Sequence, residues 1–167
     1  ACHSWLAWRD SAIRSTSVHH EHYMALALPQ AEAAREADEV SVGAVIVRED
    51  RVLAAAHNQR EQLRDATAHA EMIAITSAAN SLSNWRLNEC MIFVTKEPCP
   101  MCAGAILNSR IKFIGFGVYD ENIGSCGSYY DICRDKSRND KPIVSGGILE
   151  QDCKYLIDMF FSDLLNK

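Results

Sequence analysis

The stretch CMIFVTKEPCPMCAGAILNSRIKFIGFGV, residues 90–118, decides the fold. Cys90–Thr95 is an apolar run with β-branched residues, and Ile111–Val118 is another, so each reads as a strand. Between them Pro100 stands where a first helical turn accepts proline, and residues 100–108 read as a helix. Strand, helix and strand in such close succession predict a parallel region inside an α/β layered domain.

The rest of the chain extends this pattern. Thr67 is a plausible N-cap for a helix over 68–82, with Met72, Ile73, Ile75, Thr76 and Ala79 on its packing face. Before it, Val42–Val47 and Arg51–His57 read as two strands joined by a Glu49-Asp50 turn, and Asn58–Ala66 as a polar loop. Helical spacing of Tyr23, Met24, Ala27, Leu28, Ala31 and Ala34 predicts a helix over 20–38, which Pro29 should kink or break near Leu28. The His19-His20-x-His22 cluster reads as a solvated start of that helix. After residue 118 the expectations are an irregular segment 121–140 with a short helix near 129–133 and a short strand 143–145. A terminal helix over 150–165 would bury Cys153, Leu156, Ile157, Phe160, Phe161 and Leu164. Residues 1–19 carry two of the three tryptophans and no clear period. They read as a disordered or non-native extension ahead of one domain over 20–167.

Bulk properties bound the function. A chain of 167 residues suits a single domain with a sizeable core, and 48% hydrophobic with 23% charged residues is ordinary for a soluble globular protein. No apolar run nears the roughly 18 residues of a membrane span, and the start has no apolar core of a secretory signal. The net charge of −5 gives no general attraction to nucleic acid, although a local basic patch acts independently of the average. Seven irregularly spaced cysteines, an odd number, argue for a reducing compartment and thus a cytoplasmic protein. Cys99 and Cys102 read as thiolate ligands, the other five as small buried or half-buried side chains.

Chemistry concentrates in two blocks, Ala68-His69-Ala70-Glu71 and Pro98-Cys99-Pro100-Met101-Cys102. His69, Cys99 and Cys102 make three ligands whose soft sulfurs favour zinc, one ion per subunit. Three ligands leave a fourth tetrahedral position for water, as in catalytic rather than structural sites, and the ion lowers the pKa of that water from about 16 toward about 7. Both blocks lie at strand-to-helix transitions, where helix N-termini favour the thiolate form. Glu71 is placed to take a proton from water and pass it to a substrate ring nitrogen and a leaving amine. Two other readings stay open here. A structural zinc site would need Cys90 or Cys126 as fourth ligand. A thioredoxin-like dithiol at Cys99 and Cys102 would leave His69 and Glu71 without a role.

The pattern H-x-E…P-C-x-x-C is a zinc deaminase signature, and the blocks resemble the cytidine deaminase superfamily. Pro98–Ile111, Val42–Val47, His57-Asn58, Gly117–Asp120, Gly124–Ser128, Gly147–Leu149 and Phe160-Phe161 narrow the resemblance to bacterial-type tRNA adenosine deaminases over about residues 20–165. Ser41 and Ala66 stand where that family usually has proline. The resemblance implies a three-layer α/β/α domain with a five-stranded mixed sheet, a homodimer, and hydrolytic deamination of adenosine to inosine at the wobble position of a tRNA anticodon stem-loop. By position it makes His69, Cys99 and Cys102 the zinc ligands and Glu71 the proton shuttle. It assigns Asn58, Ala70, Asp120, Phe160 and Phe161 to substrate, with Asn58 bonding an extruded base. A deaminase of a free nucleobase or nucleoside such as guanine, cytosine or cytidine has the same metal chemistry.

Overall fold

Residues 17–135 and 139–166 are described by the computed structural model of the chain. The expected extension lies, for residues 1–16, outside the described residues. Helix α1 begins at Ser17 and runs to Glu36. Its apolar stripe behaves as the spacing predicts: Tyr23, Met24, Ala27, Ala31 and Ala34 are buried. Pro29 does not break it. The ring lies on the exposed side of the helix, so the loss is confined to one backbone hydrogen bond and a steric contact, about 3 kcal/mol in a helix interior. Burial of the stripe on both sides of Pro29 outweighs that.

The sheet has the order β2-β1-β3-β4-β5, with β1 at Gly43–Arg48, β2 at Arg51–His57, β3 at Met91–Lys96, β4 at Phe113–Val118 and β5 at Ile143–Ser145. Strand β1 is antiparallel to both β2 and β3, while β3–β4 and β4–β5 are parallel. The sheet is therefore mixed, as the resemblance implies. Alternate residues point to opposite faces. Ala44, Ile46, Ile92, Val94, Ile114 and Phe116 form one core cluster, and Val45, Val47, Phe93 and Phe113 belong to the other. Both faces are covered, which explains why these strands read as continuous apolar runs. Helix α1 crosses β1 so closely that a Cβ on Gly43 would stand 2.3 Å from the Ala27 carbonyl oxygen.

Four helices complete the layers. A single turn, α2 at Arg60–Leu63, occupies part of the expected loop. Helix α3 spans Ala70–Leu82 and α4 spans Pro100–Asn108, both packed on the first cluster; α5, Glu150–Leu165, packs beside α1 on the second. Three expectations are corrected. Thr67 does not cap α3, because its hydroxyl and N–H both bond the Asp65 carboxylate at 2.7 and 2.8 Å, and His69 becomes the N-cap residue. The buried face of α3 is Ala70, Glu71, Ala74 and Ala78, small enough to let the helix approach the sheet, and the larger Met72, Ile73 and Ile75 are only half-buried beside it. On α5, Cys153, Ile157 and Phe160 are buried but Phe161 and Leu164 are 49% and 55% exposed. The short helix expected near 129–133 is a 3-10 turn at Ile132–Arg134. Cys90, Cys102, Cys126, Cys133 and Cys153 are buried as free thiols.

Candidate active site

Topology brings the two sequence blocks together. Since β1 runs antiparallel to both neighbours, β2 and β3 point the same way, and β4 follows β3. The ends of β2, β3 and β4 and the start of β1 thus share one edge of the sheet. Asn58 follows β2, Glu97 to Cys99 follow β3, and Asp120 follows β4. His69 and Cys99 are the N-cap residues of α3 and α4, both with extended backbone and no side-chain capping bond. Their side chains are free to turn toward each other.

They do so. His69 Nδ1 lies 3.6 Å from Cys99 Sγ and 3.5 Å from Cys102 Sγ, and the three ligand atoms form the one cluster among the described residues able to hold a metal ion. Bonds of about 2.05 Å to nitrogen and 2.3 Å to sulfur at a tetrahedral angle demand an N···S separation of about 3.6 Å. The group fits such an ion, and neither Cys90 nor Cys126 belongs to the cluster. The charges suit it too. The hydrogen bond from Cys102, helped by His69, lowers the Cys99 thiol to about 4, while the same proton sharing and burial push Cys102 up. His69 is raised, first by its bond to Cys99. A cation bound by these ligands would compete with protons for them.

Glu71 stands in the first turn of α3, 4% exposed, and burial raises its pKa. A buried carboxyl group whose pKa is raised in this way holds a proton more readily than an exposed one, which suits a group that takes up a proton and passes it on. The recess beside these residues has a volume of about 150 Å³, and Val42, Asn58, His69, Ala70, Glu71 and Cys99 are among the residues that line it. Ligand pockets usually exceed about 300 Å³. This one admits a single small ring and leaves the rest of a larger substrate outside.

Of the other expected substrate residues, Asp120, Phe160 and Phe161 do not line the recess. Asp120 is 7% exposed, and its carboxylate pairs with Lys96 and accepts the backbone N–H groups of Asn122 and Ile123. Burial alone would raise its pKa; these partners hold it low instead. Phe160 and Phe161 stack edge-on at 5.3 Å on α5, on the other face of the sheet from α3 and α4.

Two buried carboxylates that no motif singles out shape the site. Glu97 accepts from the N–H groups of Asp120 at 3.0 Å, Cys126 at 2.9 Å and Ser128 at 3.2 Å, so it ties the 120–128 loop to the residues preceding Cys99. Gly124 passes so near that a Cβ would meet the Glu97 carboxylate at 2.4 Å. Glu39, 1% exposed, bonds Asn58 and the N–H of Gln62. Glu39 sits in a charged run after α1, and neither it nor Glu97 carries a spacing signal.

A family model for MafB19-like deaminases matches residues 18–150. A tRNA-specific adenosine deaminase of Bacillus subtilis (strain 168) is 40% identical over 147 residues, covering 88% of this chain and 91% of the relative. The chain belongs to the tRNA-specific adenosine deaminases. The deaminase also superposes, with a TM-score of 0.78 and 38% identity, on a structure from a study of A-to-I editing by tRNA:A34 deaminases at the wobble position of transfer RNA; 81% of this chain and 98% of that one are covered. A guanine deaminase from Bacillus subtilis matches at a TM-score of 0.59 and 33% identity, over 65% of this chain and 69% of the other. Among the described residues no helix of the deaminase is long and apolar enough to cross a membrane.

Proposed function

We propose that this deaminase hydrolyses adenosine to inosine at the wobble position of a tRNA anticodon stem-loop, using one zinc ion held by His69, Cys99 and Cys102. The observation that carries the reading is the buried Glu71 carboxyl that lines, together with His69 and Cys99 of the three-ligand cluster, a recess of about 150 Å³. Held by His69, Cys99 and Cys102, zinc would supply the chemistry of lowering the pKa of a water molecule. Glu71 takes one water proton and delivers it to the ring nitrogen next to the reacting carbon, then moves the remaining hydroxyl proton to the leaving amine. Water is consumed, ammonia leaves, and the amidine carbon becomes a carbonyl. Asn58 bonds the extruded base, and Ala70, also in the lining of the recess, contacts it. Asp120, Phe160 and Phe161 serve the anticodon loop outside the recess. Phe161, 49% exposed, can stack an unpaired base, whereas Asp120 acts through the loop it caps. The working unit is a homodimer in the reducing cytoplasm, in keeping with the free thiols.

Zinc-loaded protein incubated with an anticodon stem-loop carrying the wobble adenosine is expected to form inosine, with release of ammonia. Glu71→Gln should lower turnover about 10²- to 10⁴-fold while metal content stays at one per chain. No inosine from the loaded wild type sinks the tRNA reading; retained turnover in the variant sinks the role of Glu71. The likeness to a guanine deaminase and the small recess favour a second reading, deamination of a free base or nucleoside. Ammonia from guanine, cytosine or cytidine, without inosine in the stem-loop, would select it.

A further inference from the structure

The orientation of the Asn58 amide is dictated from behind the recess. Its backbone is pinned first: the Asn58 N–H donates to the Val42 carbonyl at 3.0 Å. Its side chain is 96% removed from solvent, and Nδ2 donates to Glu39 Oε2 at 3.3 Å. An ionised carboxylate only accepts, so of the two ends of the amide only the NH2 can face Glu39. Glu39 cannot yield, because its other oxygen accepts the Gln62 N–H at 2.8 Å and the residue is 1% exposed. A carboxylate so deeply buried needs these donors, and losing one leaves it poorly compensated. Among the described residues no hydrogen bond engages Asn58 Oδ1, although Asn58 lines the recess.

We propose that Glu39 is a positioning residue that locks Asn58 with its carbonyl oxygen presented to the substrate, so that the site selects a ligand bearing a hydrogen-bond donor at that point. Ring nitrogens N1, N3 and N7 of adenosine only accept, so on that substrate Oδ1 is matched to the exocyclic amine of the base or to a ribose hydroxyl. The contact is second in line: Glu39 does not line the recess and reaches substrate only through Asn58. The inference rests on the reading of Asn58 as a substrate contact, given above.

Glu39→Gln tests it at nearly constant shape. The new side chain keeps an oxygen for the Gln62 N–H but turns an NH2 toward Asn58, so the Asn58 amide must flip and offer Nδ2 to the recess. Asn58→Asp sets two carboxylates against each other. In the double variant, Glu39→Gln with Asn58→Asp, the amide donates to one aspartate oxygen and the other oxygen again presents an acceptor to the substrate. Each protein is loaded with zinc, its metal content and melting temperature are measured, and kcat and KM are determined on the substrate that the wild type turns over best. The expected result is a loss of kcat/KM of about tenfold or more in each single variant. Glu39→Gln should keep wild-type metal content and melting temperature, and the double variant should recover at least about tenfold over Asn58→Asp. The proposal is overturned if Glu39→Gln stays within about twofold of wild type. It is also overturned if its loss merely tracks lost metal or stability, or if the double variant is no better than the worse single one. An inactive wild type on every substrate overturns the enzymatic reading instead, and shows itself before any variant is compared.

Discussion

At the residue scale, the molecule spends side chains on support as much as on chemistry. His20 shows how a residue of the histidine-rich helix start can be drawn into the core. Its ring centroid lies 4.5 Å from that of Phe113 and 5.7 Å from that of Phe93, and its Nε2 is buried without a hydrogen-bond partner. Burial, with repulsion from His19 added, lowers its pKa below 6.5. The folded chain therefore binds this proton less readily than the unfolded chain. As pH falls through about 6.5 the unfolded state gains protons first, and stability drops until the folded pKa is passed. Above that window His20 contributes no pH dependence. In His20→Phe, the decline in melting temperature between about pH 7 and pH 5 should be shallower than in the wild type. An unchanged slope would show that other groups cause the acid sensitivity.

At the element scale, helices are positioned by what they bury rather than by their local propensities. Helix α1 tolerates Pro29 because Met24 and Ala27 before it, and Ala31 and Ala34 after it, are fully buried. Replacing an exposed helical proline restores an N–H for the Ala25 carbonyl. Pro29→Ala should therefore stabilise the protein by about 1–3 kcal/mol, a rise of several degrees in melting temperature at this chain length. A fall would mean that the native helix is bent to fit the ring. The same priority of packing explains which elements could be read from the sequence. Strands β1, β3 and β4 are apolar on both faces and were legible as runs, and α4 was legible from Pro100. The start of α3 was not: Thr67 is a good cap by residue type, but Asp65 two residues earlier captures it. The face of α5 was misjudged at Phe161 and Leu164 because periodicity cannot tell where the sheet beneath a helix ends. In the site, His69, Glu71, Cys99 and Cys102 stood out because metal ligands and proton carriers come in recognisable spacings, whereas Asn58 was marked only by the family resemblance. Glu39 and Glu97 did not, because their partners are mostly backbone N–H groups brought near only by the completed fold.

At the scale of the whole molecule, the metal cluster joins segments that the sheet also joins. His69 is separated from Cys99 by all of α3 and all of β3, so an ion bound there closes a long loop and stabilises only the folded state. Stripping the ion with a chelator should lower the melting temperature and abolish turnover together, and stoichiometric zinc should restore both. Recovery of stability without activity would point to a structural ion. The seam carrying this linkage is the pairing of β1 with β3, from Ala44 opposite Val94 to Val47 opposite Met91. On its two sides lie pieces assembled from near neighbours: the hairpin with α1 and α3, and the β3–α4–β4 unit with β5 and α5. Between them, Asn84 and Trp85 are exposed, the latter by 54%. Cutting the chain there would leave Glu39, Asn58, His69 and Glu71 in one fragment and Glu97, Cys99 and Cys102 in the other. Neither fragment alone owns a three-ligand site or a complete recess. Mixed in solution, the two should regain tight metal binding and turnover as second-order processes in fragment concentration. Joined to two other proteins, they would make a reporter of whether those proteins meet.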